Sequence, residues 1–335
     1  MEFSKHYVAE SDLLTFINKN YAIKGEKIRL YRTSGGRVFF IQSPTGRKVF
    51  KLYTPTITEG AIQTTRIIPY LYDCGYPVVK IIPAVSGELY VTVERPEGSC
   101  IGVLFEYASG ICIWAWNALY DTEKESIHPI TRQFCQQVGL MHRLMDDYKE
   151  PLIQRGSKES IFGTIIHRLR LDGYNESKVR DLEEYGNELW AILSKCRAGF
   201  YHADMHPGNT KYKNGQFTWM DFDKACMSYN VMDIGWLLTT DWVHYHNQKK
   251  SVERSRRLFD EVYAGYSKEQ PMTDDEIKAA IHSTAIIHFE ALGLESLELE
   301  GDKLRIVDRE YEWLMIVDRE YEWLMRWREC CARLV

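Results

Sequence analysis

The sequence lacks the features by which membrane, exported and disulfide-linked proteins are recognised. No stretch comes near the roughly 18 consecutive apolar residues of a transmembrane helix. The N-terminal segment MEFSKHYVAESDLL has no basic start followed by an apolar run, so no export signal is expected. The eight cysteines are scattered without C-x-x-C spacing, which is unfavourable for a zinc site or a disulfide scaffold. We therefore expect a cytoplasmic protein without membrane contacts and with reduced cysteines.

A strong charge of one sign is also absent. The formal net charge is -5, which favours neither the phosphate backbone of nucleic acids nor anionic lipids as partners. Hydrophobic residues (45%) and charged residues (27%) are balanced as in an ordinary globular protein. At 335 residues the chain is longer than a domain with a single hydrophobic core usually is, so we expect two lobes.

Two widespread catalytic motifs are missing. No G-x-S-x-G is present, so a Ser-His-Asp hydrolase has no support. No G-x-x-x-x-G-K-[S/T] is present either, which argues against a nucleotide site of the P-loop type. The chemistry must therefore be sought in other motifs.

Residues 1–107 predict a small lobe built on an antiparallel sheet. One main helix is expected from about Glu59 to Tyr72, because Cys74-Gly75 provides the usual helix stop. Turn signals separate the β-branched and aromatic segments that predict strands. The predicted strands are Ile28–Tyr31, Val38–Gln42, Lys48–Tyr53, Leu89–Glu94 and Ile101–Tyr107.

Residues 108–335 predict a larger lobe that is mostly helical. Apolar residues recur at helical spacing through Thr131–Asp146, and two further helices are expected at Ser160–Leu171 and Lys178–Cys196. Short strands are expected at Thr210–Tyr212 and Phe217–Met220. Helices resume at Met232 and continue to the end. The chain is thus predicted to be an α+β protein.

A ten-residue segment, IVDREYEWLM, occurs twice in succession near the C-terminus. Ile316–Met325 repeats Ile306–Met315 letter for letter. If both copies are helical, ten residues add about 15 Å and leave the second copy about 80° out of phase with the first. Either copy could fill one docking site, but the two cannot fill it together. We interpret the segment as a duplication and not as a functional repeat.

Residues typical of phosphoryl transfer lie between positions 200 and 235. His202, Asp204 and Asn209 form H-x-D-x-x-x-x-N, and Asp221 follows twelve residues later in MDFD. A carboxylate such as Asp204 can orient an acceptor hydroxyl and take its proton. The oxygens of Asn209 and Asp221 are suitable ligands for the Mg²⁺ that neutralises a triphosphate. The pattern indicates a phosphotransferase that uses ATP and Mg²⁺.

These motifs resemble those of the aminoglycoside phosphotransferase and choline kinase superfamily, which shares the protein-kinase fold. The catalytic loop of that family has the pattern H-G-D-x-H-P-x-N, and its metal-binding aspartate lies in I-D-F-D. The corresponding segments of this chain are HADMHPGN and MDFD. The resemblance implies a bilobed, protein-kinase-like fold. It also implies that Asp204 is the catalytic base and that Asn209 and Asp221 hold magnesium.

The same resemblance implies roles for positions around the catalytic loop. His202 and Asp233 would brace the loop by hydrogen bonds, and Asp223 would support the metal site. Ala203 stands where the family has glycine, a replacement that we expect to be tolerated unless the position requires a positive φ.

The resemblance extends to the first lobe. Lys51 is placed like the strand lysine that contacts the α- and β-phosphates. A short glycine loop would cover the nucleotide, and main-chain groups at the end of the last strand would meet adenine. The residues are Ser34, Gly35 and Gly36 for the loop and Glu106, Tyr107 and Ala108 for the adenine contact.

One position departs from the family pattern. The strand lysine usually pairs with a helix glutamate, and counting back from Gly75-Tyr76-Pro77-Val78 places that position near Thr64, which cannot form an ion pair. Glu59 is the nearest upstream acid, only eight residues after Lys51. The acidic partner of the lysine is therefore left open.

The same residues allow other functions. His202 and His206 have the i, i+4 spacing of a helical zinc site, but Pro207-Gly208 opposes a helix there. The leading hypothesis is a kinase that phosphorylates a hydroxyl of an aminoglycoside, amino alcohol, sugar or homoserine-like metabolite. A serine/threonine protein kinase of the bacterial stress-response type and a nucleotide-binding pseudokinase are the alternatives. The acceptor would meet the helices in residues 156–196 and 241–298, where Glu290, Glu295 and Glu298 could bind ammonium groups.

Overall fold

A computed structural model describes residues 9–33, 36–95, 98–112, 120–121, 126–238, 248–301 and 306–332. The chain divides into two compact units. The first unit comprises Met1–Ile113, Tyr148–Ile153 and Asn209–Ala225, and the second comprises the rest. None of the helices in the described ranges is both long and apolar enough to span a bilayer.

The first unit contains a five-stranded antiparallel sheet. Two helices, α1 (Glu10–Asn20) and α2 (Thr58–Asp73), accompany it. The strand order is β1-β2-β3-β5-β4, in which the neighbouring β3 and β5 place Lys51 opposite Val103. The strands are β1 (Lys27–Arg32), β2 (Arg37–Ser43), β3 (Gly46–Tyr53), β4 (Val91–Val93) and β5 (Cys100–Glu106).

The core of this unit lies between α1 and the sheet. Leu13 and Ile17 of α1 are buried at 1% and 0% exposure against Phe39, Phe50 and other sheet residues. Burying a side chain of this size contributes about 1.5–3 kcal/mol. The helix therefore fixes one face of the sheet and leaves the other face of β3 for polar side chains such as Lys51.

A second, three-stranded sheet belongs to the same unit. It consists of β10 (Thr210–Lys213) and β11 (Gln216–Trp219), which form a hairpin, and β6 (Ile111–Cys112). The hairpin is hydrogen-bonded to the segment that follows α2. Val79 N–H donates to the Trp219 carbonyl at 2.9 Å, and Trp219 N–H donates to the Pro77 carbonyl at 2.8 Å. These bonds fix the hairpin that ends at the MDFD segment.

The second unit is mainly helical. Two short antiparallel pairs accompany the helices, β7 (Tyr120–Asp121) with β8 (Ser126–Ile127) and β9 (Ala198–Tyr201) with β12 (Cys226–Tyr229). A π-helical turn at Glu159–Gly163 precedes α4. The helices are α3 (Thr131–Met145), α4 (Thr164–Leu171), α5 (Glu176–Leu193), α6 (Val231–Leu238), α7 (Gln248–Tyr266), α8 (Asp274–Gly301) and α9 (Ile306–Ala332).

The predicted α+β class, with an antiparallel sheet and many helices, is confirmed. The five expected strands of the first unit are present as β1 to β5, and the expected main helix is α2. Helix α1 was not expected, because its pattern is short and follows a polar N-terminal segment. The pair of β9 and β12 was also missed, since four-residue strands far apart in sequence leave little local signal.

The second copy of the duplicated decapeptide packs on other helices of the second unit. Val317 and Leu324 are fully buried. Glu320 is 1% exposed, and its Oε2 lies within hydrogen-bond distance, 2.6 Å, of His288 Nδ1. Tyr321 donates to Asp181 at 2.6 Å. The side chains of the first copy lie outside the described residues.

Residues that follow the second copy also contact the second unit. Trp327 is 1% exposed, and Arg328 forms an ion pair with Glu188. Because the copies are identical, removing Ile316–Met325 joins the first copy to Arg326 and regenerates the same sequence up to the C-terminus. The docking residues are therefore retained, and only the connection from α8 becomes shorter.

We expect the variant lacking Ile316–Met325 to remain soluble and to melt within a few degrees of the full chain. Differential scanning fluorimetry of both proteins measures this. Leu324→Ala in the full chain is the matched control, since it empties a buried site and should cost about 2–5 kcal/mol of unfolding free energy. An insoluble deletion variant beside a well-behaved parent would show that the duplication is structural.

Candidate active site

Lys51 lies at the centre of a buried charge cluster in the first unit. Strand β3 carries it, and its side chain is 8% exposed. Its Nζ lies 2.6 Å from Asp221 Oδ1 and 2.8 Å from Asp223 Oδ2. Burial works to lower the pKa of Lys51, but the carboxylates raise it well above its usual value. The lysine is thus held as an ammonium group between two carboxylates.

Asp221 follows β11 in a left-handed backbone conformation, with φ at +70°. Aspartate tolerates this region better than most residues, because its short polar side chain can bond locally. Burial alone would raise the pKa of its carboxyl, but Lys51 and then Arg32, which lies 3.6 Å away, hold that pKa below its usual range. Asp221 is therefore an ionised carboxylate over the whole physiological range.

Asn209 lies beside the start of the MDFD segment. Its carbonyl accepts a hydrogen bond from Met220 N–H at 3.0 Å, and the register of the hairpin pairs Thr210 with Trp219. Asn209 is 4% exposed. Asn209 and Asp221 thus flank the open end of one hairpin. A carboxylate and an amide oxygen at such an end form a donor set that suits a hard divalent cation.

Asp204 lies in the second unit, on the loop that follows β9. Its side chain is 15% exposed, and His206 Nε2 lies 3.7 Å from its Oδ2. The His206 backbone N–H donates to the Asp204 carbonyl at 2.8 Å, which closes a tight turn. The turn leaves the carboxylate partly accessible, as a residue that meets a substrate must be.

Ala203 has a φ of +62°. The position therefore does require the left-handed region, where a Cβ atom costs roughly 1–2 kcal/mol per residue. We expected alanine to be tolerated unless this condition held, and the condition does hold. The family glycine that alanine replaces here would adopt this conformation without strain.

A buried carboxylate, Asp233 of α6, organises the same loop. Its Oδ2 accepts a hydrogen bond from the His202 backbone N–H at 2.8 Å and lies 3.0 Å from His142 Nε2. His142 Nδ1 lies 2.7 Å from the Tyr266 hydroxyl. Asp233 and His142 are both 0% exposed. The loop that carries Asp204 is thus bonded through its main chain to α6, and through Asp233 to α3 and α7.

His142 is the site residue that sequence reasoning missed. Its segment, Val138-Gly139-Leu140-Met141-His142, resembles the L-G-x-L-H helix of the aminoglycoside phosphotransferase and choline kinase superfamily, and this resemblance implies only a structural role. The signal that could have found it is the neighbouring Gly139, where a Cβ would lie 2.5 Å from the Tyr266 carbonyl oxygen. That close approach of α3 and α7 brings Tyr266 to the imidazole.

The residues expected to meet adenine line a cavity of the first unit. Its volume is about 350 Å³, and Glu106, Tyr107 and Ala108 are among its lining residues, with others from the β10–β11 hairpin and residues 78–80. The Glu106 side chain pairs with Lys48 at 2.7 Å. The Glu106 backbone N–H donates to the Lys80 carbonyl at 2.9 Å. The contact of this segment with adenine stays a prediction.

The glycine loop is only partly described. Ser34 and Gly35 lie outside the described residues. Gly36 has a φ of +110°, and a Cβ there would lie 2.8 Å from the Leu52 carbonyl oxygen. Both facts make glycine the residue that fits this position. The side chains of Glu290, Glu295 and Glu298 also lie outside the described part of the chain.

The zinc interpretation of His202 and His206 gains no support. In the described ranges, no group of three or more His, Cys, Asp and Glu side chains could hold a metal ion. His202 precedes a loop with a positive φ at Ala203, so the two histidines are not on one helical face.

Comparisons with known proteins identify the family and the fold of the chain. A family model described as "Phosphotransferase enzyme family" matches residues 32–266. Among solved structures, a microcompartment-associated aminopropanol kinase has a TM-score of 0.74 at 13% identity, covering 96% of this chain and 98% of that one. The amicoumacin kinase hAmiN, in complex with AMP-PNP, Ca²⁺ and Ami, has a TM-score of 0.68 at 18% identity, covering 95% and 94%.

A choline kinase from Cryptosporidium parvum is similar as well. Its TM-score is 0.64 at 14% identity, and the match covers 97% of this chain and 96% of that one. The expected protein-kinase-like fold and the expected superfamily are confirmed.

We expect Ala203→Gly to stabilise the protein by about 0.5–1 kcal/mol, because glycine removes the left-handed strain and loses only part of that gain to the greater entropy of the unfolded chain. Urea unfolding of the purified variant measures the change. Ala191→Gly, at an exposed position of α5, is the matched control and should destabilise by up to about 1 kcal/mol. Equal losses at both positions would mean that Ala203 is not strained.

Proposed function

This chain belongs to the phosphotransferase enzyme family, and on that premise we propose that it transfers the γ-phosphoryl group of ATP to a hydroxyl group of a small molecule. The observation that carries the proposal is the ion pair of Lys51 with Asp221 at the end of the β10–β11 hairpin. The same hairpin begins directly after Asn209. An ammonium, a carboxylate and an amide oxygen at such a place suit a nucleotide triphosphate and its cation.

Each residue of the cluster has a distinct task in this proposal. Asn209 and Asp221 hold Mg²⁺, which when bound offsets the negative charge of the phosphates. Lys51 donates charge-assisted hydrogen bonds to the α- and β-phosphates. Because its pKa is raised by the carboxylates, the lysine keeps its proton at any physiological pH. Gly36 and the main chain of Glu106–Ala108 receive the rest of the nucleotide.

Asp204 acts on the acceptor. Its carboxylate accepts the hydrogen bond of the substrate hydroxyl, orients it towards the γ-phosphorus and takes the proton as the new O–P bond forms. Asp233 holds the loop through the His202 backbone N–H, so that the carboxylate keeps its direction. The acceptor itself is bound by the helices of the second unit.

The acceptor is proposed to be an amino alcohol or another hydroxyl compound that carries an amine. The similar proteins include kinases named for aminopropanol and for choline, both of which combine a hydroxyl with a nitrogen centre. Aminoglycosides, sugars and homoserine-like metabolites remain candidate acceptors. This chain has a suitable residue at the base position and at both metal positions of the family motifs, which disfavours a pseudokinase. The similarity to small-molecule kinases disfavours a protein kinase.

We expect the purified protein with ATP and Mg²⁺ to phosphorylate at least one compound from a panel of hydroxyl-bearing amines and antibiotics. A coupled assay that detects ADP, followed by mass spectrometry of the acceptor, measures the transfer. A protein acceptor such as casein belongs in the same panel. Transfer to the protein alone would overturn the small-molecule proposal.

Asp204→Asn should lower turnover about a hundredfold or more, since the amide cannot take the proton. Nucleotide binding, measured by calorimetry, should change less than twofold because Asp204 meets the acceptor and not ATP. The isosteric Asp172→Asn, on the surface turn after α4, is the control and should leave turnover unchanged. Turnover like that of the wild type in Asp204→Asn would remove this residue as the base.

Asp221→Ala should abolish the dependence of nucleotide binding on Mg²⁺, because the cation loses its charged ligand. Calorimetric titrations of ATP with Mg²⁺ and with EDTA measure the difference. Asp73→Ala, at the exposed end of α2, is the control and should behave like the wild type. If Asp221→Ala keeps the full Mg²⁺ dependence, the ligand lies elsewhere.

A further inference from the structure

The acidic partner of Lys51 does not come from α2. Protein kinases use an ion pair between the strand lysine and a glutamate of the neighbouring helix. The acids of α2 are Glu59 and Asp73, one in its first turn and the other its last residue. Glu59 is exposed. The middle of the helix, where such a glutamate would be expected, carries no acid at all.

Neutral side chains occupy that part of α2. Thr64 is 1% exposed, and its hydroxyl donates to the Gly60 carbonyl at 2.9 Å. A hydrogen bond also links Thr64 to the Tyr53 side chain, and the Tyr53 ring lies 4.8 Å from Lys51 Nζ. Burial raises the pKa of the Tyr53 hydroxyl, so this group stays neutral. The helix side of Lys51 therefore offers an aromatic face and no carboxylate.

Asp223 provides the carboxylate instead. Its Oδ2 lies 2.8 Å from Lys51 Nζ, and its side chain is 9% exposed, less than the 15% of Asp221. Only one residue separates the two aspartates, yet they differ in surroundings, because Asp221 also faces Arg32. Asp223 is the more deeply buried of the two partners.

Helix α2 supports Asp223 through the backbone. Gly60 packs so closely that a Cβ would lie 2.1 Å from the Asp223 carbonyl oxygen. Gln63 Nε2 donates to the Ala225 carbonyl at 2.6 Å, and its Oε1 accepts from Ile153 N–H at 2.8 Å. The helix thus positions residues 223–225, and these in turn position the lysine.

The charges around Lys51 explain why a second carboxylate is needed beside Asp221. A divalent cation on Asp221 would lie close to the Lys51 ammonium, and like charges a few ångströms apart repel strongly at the effective dielectric of a protein. A carboxylate that stays on Lys51 while Asp221 binds the cation offsets this repulsion. Asp223 is placed to do so.

We propose that Asp223 is the positioning residue of Lys51, in the place of a helix glutamate, and that Gly60 and Gln63 of α2 hold it there. This inference rests on the proposed function, in which Lys51 binds the nucleotide phosphates. Asp223 is accordingly distinct in role from Asp221, although both contact the same ammonium group.

The test is a comparison of two neighbouring aspartates in nucleotide binding. Asp223→Asn should weaken ATP binding about tenfold in calorimetry and leave the half-saturating Mg²⁺ concentration within twofold of the wild type. Asp221→Asn, the matched control, should raise that concentration about tenfold or more. Asp223→Glu keeps the charge and should restore binding to within about threefold of the wild type. A shift of the Mg²⁺ requirement in Asp223→Asn as large as in Asp221→Asn would overturn the proposal and make Asp223 a metal ligand.

A second comparison uses the lysine itself and needs no ligand. Lys51→Met should lower the melting temperature of the nucleotide-free protein, because it removes the ammonium group that pairs with both buried carboxylates. Adding Asp223→Asn to Lys51→Met should recover part of that loss, and it should not weaken ATP binding further. Additive losses in both measurements would contradict a direct coupling of the two residues. If the wild type binds no ATP, the proposed function fails, while this coupling remains measurable.

Discussion

The pairing of the buried Lys51 ammonium group with Asp221 and Asp223 is the interaction on which the proposed nucleotide site depends. Taking a lysine and two aspartates out of water costs several kcal/mol for each ion, which only close and well-aligned pairing offsets. The distances of 2.6 and 2.8 Å provide that pairing. Strand β3, the segment after β11 and, through Gly60, helix α2 must all be in place for the cluster to form. The charges therefore fix the relative position of these elements within the first unit.

A second buried carboxyl group, that of Asp233, connects elements of the second unit in the same way. Asp233 is fully buried and bonds to the main chain at His202 and to the His142 ring. A carboxylate without these donors would cost several kcal/mol at such a place, so the loop, α3 and α6 are specified together. Only four residues lie between Asp204 and Asn209 in the chain. The proposed base and the first proposed metal ligand are thus close neighbours in the chain.

The sequence predicted those parts of the structure that depend on local patterns. The strands β1 to β5 and the helix α2 follow from turn residues and apolar periods, and the family motif HADMHPGN names Asp204 and Asn209 directly. The partner of Lys51 and the role of His142 could not be predicted in this way. Asp223 lies 172 positions from Lys51, and His142 lies 91 from Asp233. Such contacts are decided by how helices and strands pack, which a single sequence does not record.

The two left-handed residues of the motifs differ in what keeps them there. Asp221 can adopt a φ of +70° at modest cost and is then held by its bonds to Lys51. Ala203 has no side-chain bond to compensate for its φ of +62°. The bond of the His202 N–H to Asp233 on one side, and the turn from Asp204 to His206 on the other, impose the conformation. Strain of this kind persists only where the surrounding structure over-determines the backbone. The loop that carries the proposed base therefore keeps this conformation because its two flanking bonds outweigh the preference of the alanine between them.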